Sequence, residues 1–575
     1  MDKKKIFGNI NLSSLILMIV VSVVLFLSFY LMFQNVNMDE TMLFSWAWII
    51  NYVNTTLFFT FLIVVCLTSY FISRINFKLS NKHFLITIFV AAFLLSSLTW
   101  NSPTPNPDVA EFYGVAKYVE LNGVSGFLSD FGTPELNDYR FHSMPIVMGV
   151  LFQIFGESII FIHIIMSILY AFIPILTFWL AKNLFNRKVA IISSLLIIAI
   201  PNMLAQSSML LVDVPTVFFV LLSLLVFHYF MQKKHWWSYP LLIIVLFLTV
   251  TSKISAIIFL VLTMLVMFFI EKKKIDFEKK KTIIGLLISG VILFLVFLFL
   301  IIVKSNFFSK QSLMDLAQVN LISRPDHYVS PISFFFQLNP LIIIFFILFI
   351  ILFFFKLRLT YLLLLVWVLF PFIFFHGTTL RYMMPAFPAI VFGAAIFIAK
   401  FRKPVLSFIV TAILLSSTII FLMGYLPLLN NEFYDDNIRL AAAEVDVLNV
   451  DSVGVYLYYE YLFEKSSPKT EIYGYVFDYY SSSRVYYDYS QSMKDVYAYW
   501  DMYSLFDYYN NDSYLTPEYG ALVIFSDIDD WQSIDYQDVQ SVKETIEKDY
   551  FLYKSISVGK SGIEENKFVF IYLKN

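Results

Sequence analysis

Five ionisable side chains stand where an apolar chain has little use for them. Asp108 and Glu111 fall in PNPDVAEFYGVAKYV, Asp213 in MLLVDVPTVFF, Lys253 in LTVTSKISAII and Arg381 in FHGTTLRYMMPAFPAI. A charge held near hydrocarbon costs roughly 3 kcal/mol or more, so each calls for a partner or a task. Taken singly, each has a plain use. Asp213, just before Val214 and Pro215, can face a helix N-terminus. Lys253 can snorkel to an interface, and Arg381 can pair with any nearby acid. Taken together they offer a carboxylate able to accept a proton from a hydroxyl, and two cations able to clamp a phosphate.

The elements that must position these groups are membrane helices. Of the 575 residues 59% are hydrophobic and 14% charged, against about 25% charged in an ordinary soluble domain. Thirteen apolar runs suit spans: 12–33, 53–73, 84–100, 158–182, 189–205, 216–231, 238–252, 254–270, 282–303, 339–355, 359–375, 383–399 and 405–425. About 20 helical residues cross the ~30 Å of bilayer hydrocarbon. The run 144–155 is too short to span and suits an interfacial helix. With the N-terminus inside, the inner segments of residues 1–425 hold 22 Lys+Arg and the outer ones 7, as the positive-inside rule requires. The five charged positions then share the outer face, and residues 426–575 lie outside the cytoplasm. The stretch at 238–270 decides this, because one long helix with a buried Lys253 would invert everything downstream.

Charge segregates as well. Residues 1–425 hold 29 Lys+Arg against 16 Asp+Glu, and residues 426–575 hold 11 against 26. An acidic tail repels phosphate backbones and excludes a nucleic-acid partner. The tail also holds 24 of the 36 tyrosines from residue 425 on. NIRLAAAEVDVL has helical periodicity, while VGVYLYY, ALVIF and KFVFIYL read as strands, which gives a small α/β domain. The single cysteine, Cys66, excludes an intrachain disulfide. There is no Walker A loop and no dinucleotide-binding glycine fingerprint.

Order and spacing resemble a family. DVAEFYGVA at 108–116, RFHSMPIVMGVLFQIFG at 140–156, SSMLLVDVP at 207–215, LTVTSKISA at 248–256 and RYMMPAFP at 381–388 look like the ordered motifs of GT-C superfamily glycosyltransferases. The nearest likeness is to family 39-like enzymes, which include protein O-mannosyltransferases and lipid A aminoarabinose transferases. The family's Asp-Glu pair is here Asp108-Val109, with the second acid displaced to Glu111, and a true pair, Asp39-Glu40, follows the first run. With the thirteen runs, the fold class is a polytopic α-helical membrane protein of about 13 transmembrane helices, and the resemblance implies a GT-C-like, eleven-span relative within it. Residues 1–83 would hold two additional helices, 84–425 a catalytic domain with a large outer loop at 101–157, and 426–575 an extracytoplasmic α/β domain.

The resemblance also implies a sugar carried on polyprenyl phosphate, an acceptor hydroxyl on a glycan, lipid or protein, and inversion at the anomeric carbon at the outer face of the cell membrane. Asp108 and Asp213 are then the catalytic candidates, Asp108 as general base. Glu111, Tyr113, His142, Lys253, Arg381 and Tyr382 are the substrate-binding candidates, with Lys253 and Arg381 on the donor phosphate. Glu157 and His376 lie in the same outer loops. No cofactor is assigned, and a divalent metal on Asp108, Glu111 and His142 stays an open reading. Two alternatives remain: an oligosaccharyltransferase, for which Tyr499-Trp500-Asp501-Met502-Tyr503 is a partial motif, and a lipid or polymer transporter or flippase.

Overall fold

A computed structural model describes residues 11–34, 49–50, 52–75, 80–100, 107–130, 143–233, 238–253, 255–271, 337–375, 380–430, 436–458, 477, 481, 484–488, 519–526, 537–558 and 567–575. Three helices open the described chain: α1 (Leu12–Gln34), α2 (Thr55–Ser73) and α3 (Asn81–Ser97). Next come α4 (Pro107–Asp130), α5 (Ser143–Phe155), α6 (Ile159–Leu184), α7 (Arg187–Ile198) and the short α8 (Pro201–Ala205). After α9 (Asp213–Lys233), α10 (Ser238–Ser252) and α11 (Ala256–Glu271) follow α12 (Pro340–Phe355) and α13 (Leu359–Phe375). A 3-10 turn at Leu380–Ala386 leads into α14 (Phe387–Ile398). It is followed by α15 (Lys403–Ile420), a π turn at Phe421–Tyr425, α16 (Leu426–Asn430) and α17 (Asp436–Leu448). The rest is β1 (Ser452–Tyr458), β2 (Arg484–Asp488), β3 (Ala521–Ser526), α18 (Gln537–Asp549), β4 (Tyr550–Val558) and β5 (Lys567–Lys574).

These elements form two compact units. One holds residues 1–101, 142–144 and 159–429, and the other 102–141, 145–158 and 430–575. Twelve of the thirteen expected runs lie on described helices, and 282–303 lies outside the described residues. Among the described residues, six helical segments are long and apolar enough to cross a bilayer: Leu12–Gln34, Thr55–Ser73, Ile159–Leu184, Asp213–Gln232, Arg381–Ile398 and Lys403–Leu429. Helix is the form such runs must take, because hydrocarbon offers the backbone no hydrogen-bond partner. Polar caps mark where several begin: Asn54 accepts from Leu57 N at 3.0 Å, Asn186 from Val189 N at 3.1 Å and Asn339 from Leu341 N at 3.0 Å. In the first unit α9 and α14 are buried on nearly every side, while α1 and α2 turn most of their apolar side chains outward.

Two expected spans are interrupted, each for a visible reason. The run 189–205 stops at Ile198 because Pro201 donates no N–H and holds Ile200 extended at ψ 106°. The run 383–399 starts as a 3-10 turn containing Pro385. The stretch 238–270 is a hairpin. Ser252 meets Thr216 at 3.2 Å and Thr249 meets Ser223 at 2.7 Å, so α10 runs antiparallel to α9. Glu271 meets His228 at 3.4 Å and Gln232 at 3.5 Å, so α11 runs parallel to α9. The chain therefore reverses at Lys253, as the two-span reading expects.

In the second unit the five strands order as β2-β1-β3-β5-β4, parallel from β2 to β3 and antiparallel thereafter. The three strands expected from sequence are β1, β3 and β5, while β2 and β4 are additions. Tyr456, Tyr519, Leu522, Ile524, Ile546, Tyr550, Phe570 and Tyr572 form one buried core. Part of the tyrosine excess is thus packing, with the Tyr550 hydroxyl donating to the Tyr519 carbonyl at 3.0 Å. Burial, then Asp549 and Tyr519 beside it, push that phenol up to about 12.

Candidate active site

Within the first unit, one end of the bundle gathers four of the expected residues. Asp213 opens α9 and is only 2% exposed. Lys253, at the α10–α11 turn, places Nζ 2.6 Å from Asp213 Oδ1. The same ammonium lies 3.8 Å from the centroid of the Tyr382 ring, and the Arg381 guanidinium lies 5.6 Å from that ring. Local hydrogen bonds hold the pieces. Thr216 donates to the Val212 carbonyl at 2.6 Å and meets Ser252 Oγ at 3.2 Å, which ties the start of α9 to the end of α10. Asp213 faces the positive end of its own helix, and Lys253 follows the negative end of α10. One aromatic ring is shared by two cations, which concentrates positive charge near a single buried carboxylate. Such a cluster can draw in a further anion and hold it by charge-assisted bonds.

Within the second unit, α4 carries Asp108 as its second residue and Glu111 three residues on. Tyr113 is buried, with its hydroxyl donating to Glu157, and its ring lies 5.3 Å from Lys117 Nζ. Lys117, 8% exposed, bonds Glu157 at 3.4 Å and donates to the Ser481 carbonyl at 3.2 Å. Ser481 Oγ in turn donates to Asp446 Oδ1 of α17 at 3.1 Å. One lysine thus fastens the helix bearing Asp108 to the tail. Burial first, then Glu157, raise the Glu120 carboxyl above the usual range, with Lys117 opposing them.

Helix α4 breaks at Gly123, whose φ of 71° no β-carbon residue adopts readily. Gln153 of α5 donates to the Val119 and Glu120 carbonyls at 3.0 and 3.1 Å, replacing the partners that the break removes. A β-carbon on Gly149 would sit 2.5 Å from the Ala116 carbonyl oxygen, so α4 and α5 touch backbone to backbone there.

His142 and His376, expected near the site, lie outside the described residues, as does the Tyr499–Tyr503 motif. Among the described residues no three His, Cys, Asp or Glu side chains gather to hold a metal. Sequence reasoning did not single out Lys117, although its signal is visible as a lone cation inside the apolar VAKYV. It also assigned Asp213 and Lys253 to separate tasks, whereas they form a pair.

Comparison with solved structures decides the fold. The apo structure of ArnT from Cupriavidus metallidurans superposes with a TM-score of 0.50 at 11% identity, covering 86% of this chain and 98% of that one. The archaeal oligosaccharyltransferase AglB from Archaeoglobus fulgidus, in complex with an inhibitory peptide and a dolichol-phosphate, also gives 0.50, at 13% identity over 82% and 73%. The chain has the GT-C fold. The sequence pattern of the dolichyl-phosphate-mannose-protein mannosyltransferase family matches residues 144–301, which include Asp213 and Lys253. No curated protein matches the sequence. At these identities the GT-C likeness establishes architecture, and the chemistry must be argued from the side chains.

Proposed function

We propose that this protein is an integral membrane glycosyltransferase that moves a sugar from a polyprenyl-phosphate carrier to an acceptor hydroxyl at the outer membrane face, with inversion. The observation that carries the reading is the cluster in which Lys253 bonds Asp213 and shares the Tyr382 ring with Arg381, at the approaches to the two innermost helices. The family match over 144–301 and the dolichol-phosphate in the AglB complex support a donor of this class.

In the proposed reaction the acceptor oxygen attacks the anomeric carbon from the face opposite the phosphate. Asp108 takes the hydroxyl proton, the C–O bond to phosphate breaks, and polyprenyl phosphate departs with the electron pair. That leaving group needs charge neutralisation more than a proton, and Lys253 and Arg381 supply it. Asp213 acts through Lys253, holding its ammonium in place between carboxylate and ring. Glu111 and His142 orient sugar or acceptor hydroxyls, and Tyr113 acts through Glu157 to fix the helix that presents Asp108.

A second reading, an oligosaccharyltransferase-like enzyme, is favoured by the AglB match. Purified protein incubated with a monosaccharide on polyprenyl monophosphate, or with an oligosaccharide on polyprenyl pyrophosphate, separates the two. Transfer from the first supports the proposal, and transfer from the second alone replaces it. In cells lacking the protein, mass spectrometry should find polyprenyl-phosphate sugar accumulating while one surface glycan loses a residue.

A further inference from the structure

The far end of the first unit carries a second concentration of positive charge that the proposed reaction does not use. Helix α14 runs from the Arg381 end to Lys400, and with its 3-10 lead-in it amounts to about 30 Å of helix. At that far end three turns meet. Lys188, between α6 and α7, donates to the Ala399 and Phe401 carbonyls. The α14–α15 turn carries Lys400, and the α12–α13 turn carries Lys356 and Arg358. Trp367 of α13 donates to the Pro385 carbonyl at 2.9 Å and its ring lies 6.1 Å from that of Phe392, so α13 packs antiparallel to the 3-10 turn and α14 that follow it and starts at the Lys400 end. Burial first, then Lys356 and Arg358, lower the Lys400 pKa.

The three turns contain no acidic residue. Lys356, Arg358 and Lys400 are all exposed, and among the described residues none of the three has a carboxylate partner. Lys188 differs, because its ammonium is already taken up in closing the end of α14. Arg358 lies 5.7 Å from the Tyr361 ring centroid and Lys400 5.5 Å from that of Phe397, contacts that leave their charge unneutralised. Flanking Lys356 and Arg358 in the chain, Phe354, Phe355 and Leu357 are 70%, 82% and 78% exposed. Three like charges that repel one another beside bare apolar side chains call for a ligand that is anionic at one end and apolar at the other.

We propose that Lys356, Arg358 and Lys400 form a binding site for the head group of an anionic phospholipid, whose acyl chains lie along Phe354, Phe355 and Leu357. A soluble phosphate would satisfy the cations and leave the apolar surface bare. A neutral phospholipid would cover the apolar surface and leave the repulsion in place. The site is separate from the donor cluster and stands whether or not the chain transfers sugars.

The test uses the full-length purified protein in detergent, titrated with phosphatidylglycerol, phosphatidylcholine or inorganic phosphate. Retained lipid is read by native mass spectrometry and protection by thermal unfolding. Phosphatidylglycerol should be retained and protective at concentrations where the other two are not. The triple variant Lys356→Gln/Arg358→Gln/Lys400→Gln should lose affinity by about fivefold per cation removed, while Lys356→Arg/Lys400→Arg retains it. Equal retention of the two lipids by the wild type overturns the proposal without recourse to any variant. Protection by inorganic phosphate equal to that by phosphatidylglycerol reduces the site to a small-anion site and overturns the lipid assignment, as does a triple variant that retains phosphatidylglycerol like the wild type.

Discussion

If Asp213 acts through Lys253, the two residues must fail as one. The Asp213 side chain is 3% exposed and that of Lys253 12%, with 2.6 Å between charged atoms. Removing one partner of a buried pair strands the other charge and costs about 3–5 kcal/mol, whereas an exposed pair contributes at most about 1. Because Lys253 keeps some contact with its surroundings, about 3 kcal/mol is expected for Lys253→Met. Asp213→Asn should cost less, since a partly exposed ammonium can turn to Tyr382. In the double variant no charge is stranded, and the loss should fall below that of Lys253→Met alone. Denaturation by sodium dodecyl sulfate in mixed micelles would give the four free energies. The same cycle on initial rates is the sharper test. In the Lys253→Met background, Asp213→Asn should slow transfer no further, because the ammonium it positions is gone. Losses that multiply in the rate cycle, with additive losses in the stability cycle, would refute the pair as a unit and return Asp213 to direct contact with substrate.

Four further outcomes follow from the same geometry. Asp108→Asn should lower the transfer rate by a factor of about 10²–10⁴, the usual worth of a general base, and Asp39→Asn should be nearly silent; an assay giving the reverse would mean that the motif has been placed on the wrong loop. Gly149→Ala should destabilise the second unit by about 1–3 kcal/mol through overpacking against the Ala116 carbonyl, and unchanged unfolding would deny the close approach of α4 and α5. Because the folded Glu120 carboxyl titrates above its ordinary range, its ionised form opposes folding, and stability is lost as pH rises through that raised pKa. Glu120→Gln should therefore raise the melting temperature at neutral pH, and the gain should vanish once acid protonates the wild-type group; a gain independent of pH would point to another cause. A reporter active only outside the cytoplasm, fused after Asn575, should be active, and in a Cys66→Ser background a cysteine near residue 276 should resist an impermeant reagent added outside; labelling there would invert the orientation.

What was legible in the sequence was whatever left a local signature. Asp213 and Lys253 stand out as charges at the ends of apolar runs, and the reversal at Lys253 follows because one long helix over 238–270 would put the basic clusters at 272–281 and 400–403 outside. The strands VGVYLYY, ALVIF and KFVFIYL were readable because apolar side chains crowd them without interruption. β4, with YFLYKSISV, was not, because it lies at the sheet edge and mixes exposed Phe551, Leu552 and Tyr553 with polar residues. Nor could spacing reveal that Lys253 lies on Tyr382, 129 positions downstream by numbering. Helix α4 hides within the long outer loop, since its apolar stripe breaks at Gly123 where the helix itself breaks. Contacts between distant segments, such as Lys117 on Ser481, leave no trace in periodicity at all.

The irregular backbone leading into Asp213 needs a reason, because a membrane protein tolerates it only where protein surrounds it. Every residue from Ser207 to Val212 is buried and none is α-helical. Local turns pair part of its backbone, with Ser207 N donating to the Leu204 carbonyl at 3.1 Å and Met209 N to the Gln206 carbonyl at 3.3 Å, and His163 Nδ1 donates to the Ser208 carbonyl at 2.9 Å. Hydroxyl side chains tie the segment to its neighbours: Ser96 meets Ser207 at 2.6 Å and Ser167 at 2.7 Å, and Thr99 meets Ser208 at 2.6 Å. A continuous helix through this stretch would have satisfied itself and placed no helix N-terminus at Asp213. The break creates that N-terminus, and the positive end of α9 then holds the carboxylate that holds Lys253. The hydroxyl network is therefore upstream of the charge cluster. Loosening the 207–212 segment should disturb the Lys253 ammonium while leaving every charged residue in the chain unchanged.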